Sequence, residues 1–548
     1  MSVTIMVFFR QFNFDNKQKN YSSLLISAFF YCIICKYRRL YHGAAVFYFL
    51  IIILRGNSKR VMFKIGFDND KYLQMQSERI KERISEFGGK LYLEFGGKLF
   101  DDYHASRVLP GFQPDSKLQM LLQLKEQAEI VIVISADDIE KNKIRGDLGI
   151  TYDVDVFRLI DAFRSRGLMV GSVVLTKYVS TAKVAAFEQK LKDAGIPSYR
   201  HYVIEGYPSN IAQIVSDDGY GKNDYIETER ELVVITAPGP GSGKMATCLS
   251  QLYHENKRGI KAGYAKFETF PIWNIALKHP VNIAYEAATA DLNDVNMIDP
   301  WHLEAYGKTT VNYNRDVEIF PVLKATFDKI YGTCPYKSPT DMGVNMAGNC
   351  IVDDEAVKTA ANQEIIRRYF SARCDNIKGL NKKDEIYKLE LLMNNAGLTA
   401  GDRLCAGRAE ELAASTGAPA AAIELDNGEI VAGKTSPLLG CASAMLLNAL
   451  KKLAGIDDEV LLILPEVIKP VQELKVNHLG NKNPRLHTDE VLIALSVSAV
   501  SDSNAGLALE QLQKLRNCEM HSSVMLSPVD ESLLKKLGVR VTCTPTRQ

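Results

Sequence analysis

The chain has 548 residues, of which 46% are hydrophobic and 24% charged, and its formal net charge is +1. This composition is that of an ordinary globular protein, and the length suffices for several domains. Residues 1–61 contain nine Lys or Arg and one acid, Asp15, giving +8, so the remainder carries +1 − 8 = −7. A mildly acidic body excludes a general nucleic-acid binder, which needs a basic surface to neutralise phosphates.

The cysteines indicate the redox environment. Eight of the ten lie beyond residue 61, far apart and without the paired spacing of zinc ligands. A chain of this size with scattered cysteines has no disulfide framework. We therefore predict a cytoplasmic protein.

Residues 1–61 form an apolar, basic leader. Its two apolar runs, residues 22–35 and 41–54, are each shorter than the roughly 20 residues that span a bilayer. It is a membrane-surface or hairpin anchor, a targeting segment, or upstream sequence translated from a mis-assigned start. We favour the third interpretation, because Met62 reads as the natural start of a soluble domain. Membrane association is expected only if the leader is part of the protein.

Helices alternate with short apolar strands in residues 62–309. Helices are predicted at 72–87, 117–127, 154–166 and 183–194, and strands at 91–95, 129–134, 169–175 and 199–204. This order predicts an α/β domain with a mainly parallel sheet. Ligands of such sheets bind at the carboxyl ends of the strands.

A phosphate-type loop follows the next strand, in the sequence Ala237-Pro-Gly-Pro-Gly-Ser-Gly-Lys244 before a helix. Glycines let backbone N–H groups close on an anion, and the helix N-terminus and lysine add positive charge. The loop departs from the P-loop pattern at Pro238, where Gly is expected, and at Met245, where Ser or Thr would hold Mg²⁺. The alternative is a glycine-rich turn between strand and helix. The predicted phosphate-binding residues here are Gly239, Gly241, Ser242, Gly243, Lys244 and Thr247.

Acidic residues after the apolar stretch 281–284 are candidates for metal binding. Nucleotide chemistry of this type needs an acid at the end of another strand to position Mg²⁺. Asp291 and Asp294 lie in a polar segment that reads as a loop. They are predicted metal ligands, with solvated turn residues as the alternative.

A helical subdomain is predicted over residues 310–404, with helices at 317–331, 355–374 and 384–394. Between the first two lies a long polar loop, residues 332–349. Long loops inside compact domains are often functional. Lys337 and Asp341 in this loop are candidate catalytic residues beside Lys244, and the alternative is a structured connection.

Residues 405–548 read as a second α/β subdomain. Strands at 420–425 and 429–432 flank Asp426-Asn-Gly428, a strong hairpin signal. A helix at 438–453, a strand at 460–464, helices at 488–500 and 505–515, and a final strand–helix–strand follow. Ser436 and Pro437 suit the start of the first helix, and Lys434 beside them is a second predicted phosphate-binding residue.

Several common catalytic signatures are missing from the sequence. It contains no HExxH zinc-peptidase helix, no G-x-S-x-G serine elbow and no zinc-deaminase signature. These chemistries are not supported.

Six segments together resemble a bacterial family that carries a domain-of-unknown-function label. They are residues 62–72, 94–98, 237–244, 266–271, 336–343 and 433–436. The resemblance covers Met62 to the C-terminus and implies three subdomains, α/β, helical and α/β. Some members of this family have been called ATP-dependent peptidases.

The combined prediction is a cytoplasmic enzyme that uses ATP or another nucleotide with Mg²⁺, or a phosphorylated metabolite. The expected chemistry is phosphoryl transfer or ATP-dependent ligation. One alternative is a regulatory protein that binds a phosphometabolite without turnover, and another is an ATP-dependent peptidase. The expected partner is a small phosphate-bearing molecule, and a homo-oligomer is compatible with the sequence.

Overall fold

The computed structural model describes residues 65–96, 99–100, 102–145 and 148–546. The leader and its three interpretations lie outside the described residues. Residues 62–548 fall into one compact unit.

The described helices occupy most of the segments that the sequence predicted as helical. They are α1 Asn69–Glu86, α2 Tyr103–Val108, α3 Ser116–Gln123, α4 Ala136–Glu140, α5 Tyr152–Arg164, α6 Ala182–Asp193, α7 Ile211–Ile214, α8 Lys244–Lys257, α9 Pro280–Ala288, α10 Pro300–Tyr306, α11 Asn314–Tyr331, α12 Pro339–Met342, α13 Asp354–Ile377, α14 Lys383–Ala396, α15 Leu404–Thr416, α16 Cys441–Ala454, α17 Pro465–Glu473, α18 Thr488–Ser498, α19 Ser503–Leu509 and α20 Pro528–Lys536.

The described strands form two larger sheets and two small ribbons. They are β1 Leu91–Phe95, β2 Ala128–Ser135, β3 Ile144–Arg145, β4 Ile150–Thr151, β5 Met169–Thr176, β6 Ser198–Arg200, β7 Leu232–Thr236, β8 Gly263–Phe267, β9 Asn296–Ile298, β10 Val311–Tyr313, β11 Gly343–Val344, β12 Ala420–Glu424, β13 Ile430–Lys434, β14 Glu519–Ser522 and β15 Arg540–Cys543.

The main sheet has the strand order β11-β8-β1-β7-β2-β5-β6 in the described part of the chain. Every neighbouring pair is parallel. The central strands β1, β2 and β7 are buried along their whole length, since helices cover both faces of a parallel sheet. The predicted α/β class with a mainly parallel sheet is therefore confirmed.

Alternating side chains divide the core between the two faces of this sheet. Leu91 and Leu93 point to the first face, where they join a core with α1, α3, α5 and α6. Tyr92 points to the second face, which α8 and α11 cover. The fold is thus a three-layer, doubly wound arrangement.

The long polar segment 332–349 is a structured connection. It forms α12 and then β11, which pairs with β8 at the edge of the main sheet. Asn345 is buried and donates to the carbonyl of Pro271 at 2.9 Å.

The second sheet has the order β13-β12-β14-β15 in the described residues. The predicted hairpin is confirmed, because β12 and β13 pair antiparallel across the Asp426-Asn-Gly428 turn. The predicted final strand–helix–strand is also present as β14, α20 and β15, with the two strands parallel.

Two local predictions in this region are wrong. Residues 460–464 form no strand; instead Lys451 Nζ donates to the carbonyls of Asp458 at 2.5 Å and Val460 at 3.1 Å, which fixes the segment as a loop. The helix predicted from residue 438 begins at Cys441. The Ser436 hydroxyl accepts the N–H of Leu438, so it closes a turn before the helix.

Within the described ranges, no helix combines the length and apolar character that crossing a membrane requires.

Candidate functional site

The order of the strands indicates that a ligand crevice is expected between β1 and β7. The connection leaving β1 runs over the first face to β2, whereas the connection leaving β7 runs through α8 on the second face to β8. Adjacent strands whose connections diverge leave an opening at their carboxyl ends, which is where ligands of such sheets bind. The phosphate-type loop, residues 237–243, lies at this opening.

Two glycines in the loop are required by its geometry. Gly243 is the N-cap residue of α8 with φ of +93°, a left-handed conformation that side chains rarely adopt. A Cβ at Gly239 would lie 2.3 Å from the hydroxyl of Tyr152. Inside the loop the Ser242 hydroxyl donates to the carbonyl of Gly239 at 2.9 Å. The Thr176 hydroxyl donates to the carbonyl of Ser242 at 2.6 Å and ties the loop to β5.

The loop and the first turn of α8 present a row of free donors. The backbone N–H groups of residues 241–246 make no hydrogen bond to the described part of the chain, and no side chain caps the helix. The first N–H groups of a helix have no partner within the helix, and they carry partial positive charge. A run of such groups is a binding site for an anion.

Three side chains of the same region also lack partners. Lys244, at the first position of α8, forms no ion pair with the described residues and is half-buried. The hydroxyl of Thr247 is buried without a hydrogen-bond partner, and so is that of Ser135 at the carboxyl end of β2. A buried hydroxyl without a partner costs about 1–3 kcal/mol, so a ligand that pairs with it offsets this cost.

Glu94 is an acid that the sequence interpretation did not select. It lies near the end of β1, opposite Ile235 of β7 and Lys266 of β8, and accepts the hydroxyl of Tyr264 at 2.7 Å. Burial raises the pKa of Cys248 on α8, Glu94 raises it further and Lys244 lowers it. Glu94 and Lys244 therefore both lie close to Cys248, a buried residue of α8. The sequence signal was an acid next to the last residue of a strand, in the motif Glu94-Phe-Gly-Gly-Lys98.

A second polar cluster lies at the end of β8. Lys266 Nζ is 2.8 Å from Glu268 Oε1, and it also contacts Asp316 and the hydroxyl of Tyr313. Burial raises the pKa of Glu268 to about 7, Lys266 opposes this rise and Asp316 adds to it. A carboxyl group with a pKa near neutrality is suited to accept a proton in catalysis.

Asp291 and Asp294 lie elsewhere. The apolar stretch 281–284 belongs to helix α9, so these acids do not follow a strand of the main sheet. Asp294 is buried and pairs with Arg315 at 2.7 Å. Searching the described ranges finds no group of three or more His, Cys, Asp or Glu placed to hold a metal. The magnesium site stays a prediction.

Lys337 and Asp341 are brought together at the edge of the sheet. The N–H of Lys337 donates to Asp341 Oδ2 at 2.9 Å, and the hydroxyl of Tyr306 donates to the same oxygen at 2.9 Å. Both residues flank the start of α12, next to β11. Three strand spacings of about 4.8 Å, roughly 14 Å in all, separate β11 from β7.

Lys434 also lies apart from the loop. It is exposed at the end of β13, the edge strand of the second sheet, and six residues separate it from the helix start at Cys441. A second anion site at this helix start therefore has no support from the structure.

The fold and the crevice define a doubly wound α/β protein with a phosphate-type loop at its switch point. The family comparison agrees with the resemblance found in the sequence. The chain belongs to the DUF1846 family: "Domain of unknown function DUF1846, N-terminal" matches residues 65–397, and the corresponding C-terminal domain matches residues 401–548.

Similar bacterial proteins carry the name UPF0371. The chain is 57% identical over 482 residues to one from Corynebacterium urealyticum, with 88% of this chain and 97% of that protein covered. It is 58% identical over 485 residues to one from Corynebacterium diphtheriae, covering 88% and 98%. It is 57% identical over 487 residues to one from Streptococcus uberis, covering 89% and 99%.

Proposed function

We propose that this protein binds a small phosphate-bearing molecule, a nucleotide or a phosphorylated metabolite, in the loop that ends at Lys244. The observation that carries the proposal is the row of unpaired N–H groups at residues 241–246, at the switch point of the sheet. Lys244 adds a full positive charge to the same place. This combination suits the negative charge and the acceptor oxygens of a phosphate group.

We further propose that the bound phosphate compound is used in phosphoryl transfer or in ATP-dependent ligation. Glu268, with its pKa raised to about 7 by burial, is a candidate general base for a second substrate. Where Mg²⁺ accompanies the phosphate, Thr247 is the better candidate ligand, because its hydroxyl is unpaired while that of Ser242 donates to Gly239. In this role Mg²⁺ would neutralise phosphate charge.

The proposed location is the cytoplasm. The eight cysteines of the described residues are free thiols, and seven of them are buried. Unpaired cysteines in this number fit a reducing compartment.

A regulatory protein that binds without turnover is the second candidate. Met245 follows the lysine where a P-loop has Ser or Thr for Mg²⁺, and this departure favours binding over hydrolysis. Release of phosphate from a bound nucleotide, measured with the purified protein, separates the two functions.

The peptidase alternative needs a Ser, His and Asp group, and one meets at the start of α12. His302 Nδ1 lies 2.9 Å from Ser338 Oγ and 3.7 Å from Asp341 Oδ1. In a serine hydrolase the histidine uses a different nitrogen for each partner. Here one nitrogen faces both, and Ser338 caps α12 by accepting the N–H of Asp341 at 3.1 Å.

A second such group lies at the starts of α18 and α20. Ser527 Oγ donates to Asp530 Oδ2 at 2.7 Å, and His487 Nδ1 lies 2.8 Å from the same oxygen. In a serine hydrolase the histidine lies between the other two side chains. Here the histidine does not bridge the other two through its two nitrogens, because His487 Nδ1 faces both Asp530 at 2.8 Å and Ser527 Oγ at 3.4 Å. Ser527 caps α20 by accepting the N–H of Asp530 at 3.1 Å. The group therefore serves helix capping.

Thermal shift with and without Mg²⁺ tests the proposed binding on the full chain. We expect ATP, ADP or a sugar phosphate to raise the melting temperature of the parent, and Lys244→Ala to abolish this rise. Thr247→Val should weaken it, because the buried hydroxyl is lost at nearly constant volume. Lys257→Ala is the matched control, since Lys257 ends the same helix and is half-exposed.

Two results would contradict the proposal. One is an equal ligand-induced shift in the parent and in Lys244→Ala. The other is no shift with any phosphate compound, in which case the loop is a structural turn.

A further inference from the structure

Three arginines converge on one buried carboxylate at the junction of α2 and α13. Arg107 Nε lies 2.9 Å from Glu364 Oε2, Arg367 Nε lies 2.8 Å from the same oxygen, and Arg368 Nε lies 3.0 Å from Oε1. Burial disfavours the charged form of Glu364, but Arg367, Arg107 and the other neighbours lower its pKa well below the usual range. Glu364 is therefore ionised at neutral pH.

This cluster carries more positive than negative charge. Every ion pair that the three guanidinium groups make with the described residues goes to Glu364, which leaves two positive charges over. The acid Glu519 nearby is already shared by Arg403 and Arg540, at 2.7 and 3.1 Å. Excess charge in a partly buried place is unfavourable unless a further anion enters.

The guanidinium groups remain accessible. The side chains of Arg107, Arg367 and Arg368 are 24%, 18% and 30% exposed, whereas that of Glu364 is 1% exposed. The arginines therefore stand between the buried carboxylate and solvent. Glu364 takes the Nε and Nη2 donors of Arg107 and of Arg367 but, among the described residues, only the Nε donor of Arg368. The two Nη groups of Arg368 thus remain as a planar fork that can bind a carboxylate or phosphate through two hydrogen bonds. The Nη1 groups of the other two arginines can add to it.

The cluster borders the carboxyl edge of the main sheet. Arg107 lies on α2, which belongs to the connection that leaves β1. On the same helix the ring of His104 packs 5.1 Å from that of Phe270, three residues beyond the end of β8. The ring of Phe270 in turn stacks on Tyr285 at 5.8 Å. The helix that carries Arg107 therefore packs against the segment that follows β8.

We propose that Arg107, Arg367 and Arg368 form a second oxyanion subsite, which receives a carboxylate or phosphate group of the second substrate. Assigning this subsite to a second substrate rests on the proposed function. The existence of the subsite depends only on the arginine cluster. The phosphate-type loop would hold the phosphate donor, and the arginines would hold the anionic end of the acceptor.

Calorimetric titration with inorganic phosphate and with malonate tests the subsite on full-length protein. Lys244→Ala serves as the background, because it removes the lysine of the loop. We expect this variant to retain binding of one or both anions, and additional Arg368→Gln to weaken that binding about tenfold, as loss of a charged hydrogen bond does. Arg373→Gln is the control, since Arg373 lies on the same helix but contacts Tyr369. It should change the affinity less than about twofold.

Arg368→Lys is the second variant, to be used if Arg368→Gln lowers the melting temperature without ligand. Lysine keeps the positive charge but lacks the paired donors of the guanidinium group, so this substitution should also weaken anion binding. Binding of phosphate alone assigns the subsite to a phosphorylated substrate, and binding of malonate alone assigns it to a carboxylate.

Two results would overturn the subsite. One is that neither anion binds to Lys244→Ala, and the other is that the Arg368 and Arg373 variants bind equally well. If the proposed phosphate site at Lys244 is wrong, the result differs. Lys244→Ala then binds nucleotides as tightly as the parent, whereas the Arg368 variant still binds phosphate or malonate more weakly.

Discussion

Glu268 combines deep burial with a charged environment. Lys266 stays protonated, because Asp316 and Glu268 raise its pKa well above the usual value although burial lowers it. Glu268 competes with Asp316 for this single cation, so it keeps its proton to higher pH than an exposed glutamate. Lys266 at the end of β8 thereby holds the carboxylates of Glu268 and Asp316 beside it.

The raised pKa of Glu268 makes stability depend on pH. The unfolded chain ionises this group near 4.5 and the folded protein near 7, so the folded state binds the extra proton between these values. The stabilisation is complete below about pH 4.5 and is lost as the pH rises through 7. Between pH 5 and 8 the free energy of unfolding of the parent should fall as Glu268 ionises. We expect this fall to be about 2–3 kcal/mol smaller in Glu268→Gln.

Denaturant unfolding at the two pH values measures this difference. Glu318→Gln is the control, because Glu318 is exposed on α11 and should follow the parent. An identical pH dependence of the parent and Glu268→Gln would show that Glu268 ionises normally.

The strand–loop–helix element β7–α8 depends on the backbone of Gly243. This residue has φ of +93°, and a Cβ there would lie 3.1 Å from the Thr176 side chain that anchors the loop. This conformation joins the loop to the first turn of α8. Helix α8 therefore requires glycine at its N-cap.

We expect Gly243→Ala to lower the free energy of unfolding by about 1–2 kcal/mol, because a left-handed conformation strains an L-residue. It should also reduce the thermal shift that phosphate compounds cause. Gly407→Ala is the matched control: Gly407 lies inside α15, with open space where a Cβ would be added. That substitution should raise stability by about 0.5–1 kcal/mol. Equal effects of the two substitutions on denaturant unfolding would contradict the role given to Gly243.

Arg403 connects residues that precede it in the sequence with residues that follow it. Its side chain is fully buried and donates to Glu519 at 2.7 Å, to the carbonyl of Arg540 at 2.7 Å and to Gln363 at 3.2 Å. It therefore connects α13 with two strands of the second sheet. The arginine cluster around Glu364 is held on the same helix.

Arg403→Gln should lower the free energy of unfolding by about 3–5 kcal/mol, because it leaves Glu519 buried with one cation fewer. Chemical denaturation measures this loss. Arg408→Gln on the same helix α15 is the control, since its exposed pair with Glu411 contributes less than about 1 kcal/mol. A loss below about 1 kcal/mol in Arg403→Gln would show that the buried contacts do not hold these parts together.

Local sequence patterns were sufficient to predict most elements and the strand–loop–helix order around Lys244. Period-two and helical patterns located most strands and helices, and Asp426-Asn-Gly428 located the hairpin, because these signals depend on neighbouring residues. The loop before Lys244 was recognisable for the same reason. The family could also be predicted, since the motifs run through the whole region that the two family domains match.

Only the folded structure shows which polar groups contact one another. Glu94 faces Lys266 because β1 and β8 pair in one register, and Arg107 reaches Glu364 across 257 residues of sequence. Residues 460–464 have strand-forming composition, but they form no strand because Lys451 binds their neighbouring carbonyls. Such contacts depend on the packing of elements distant in sequence, and no local pattern encodes them.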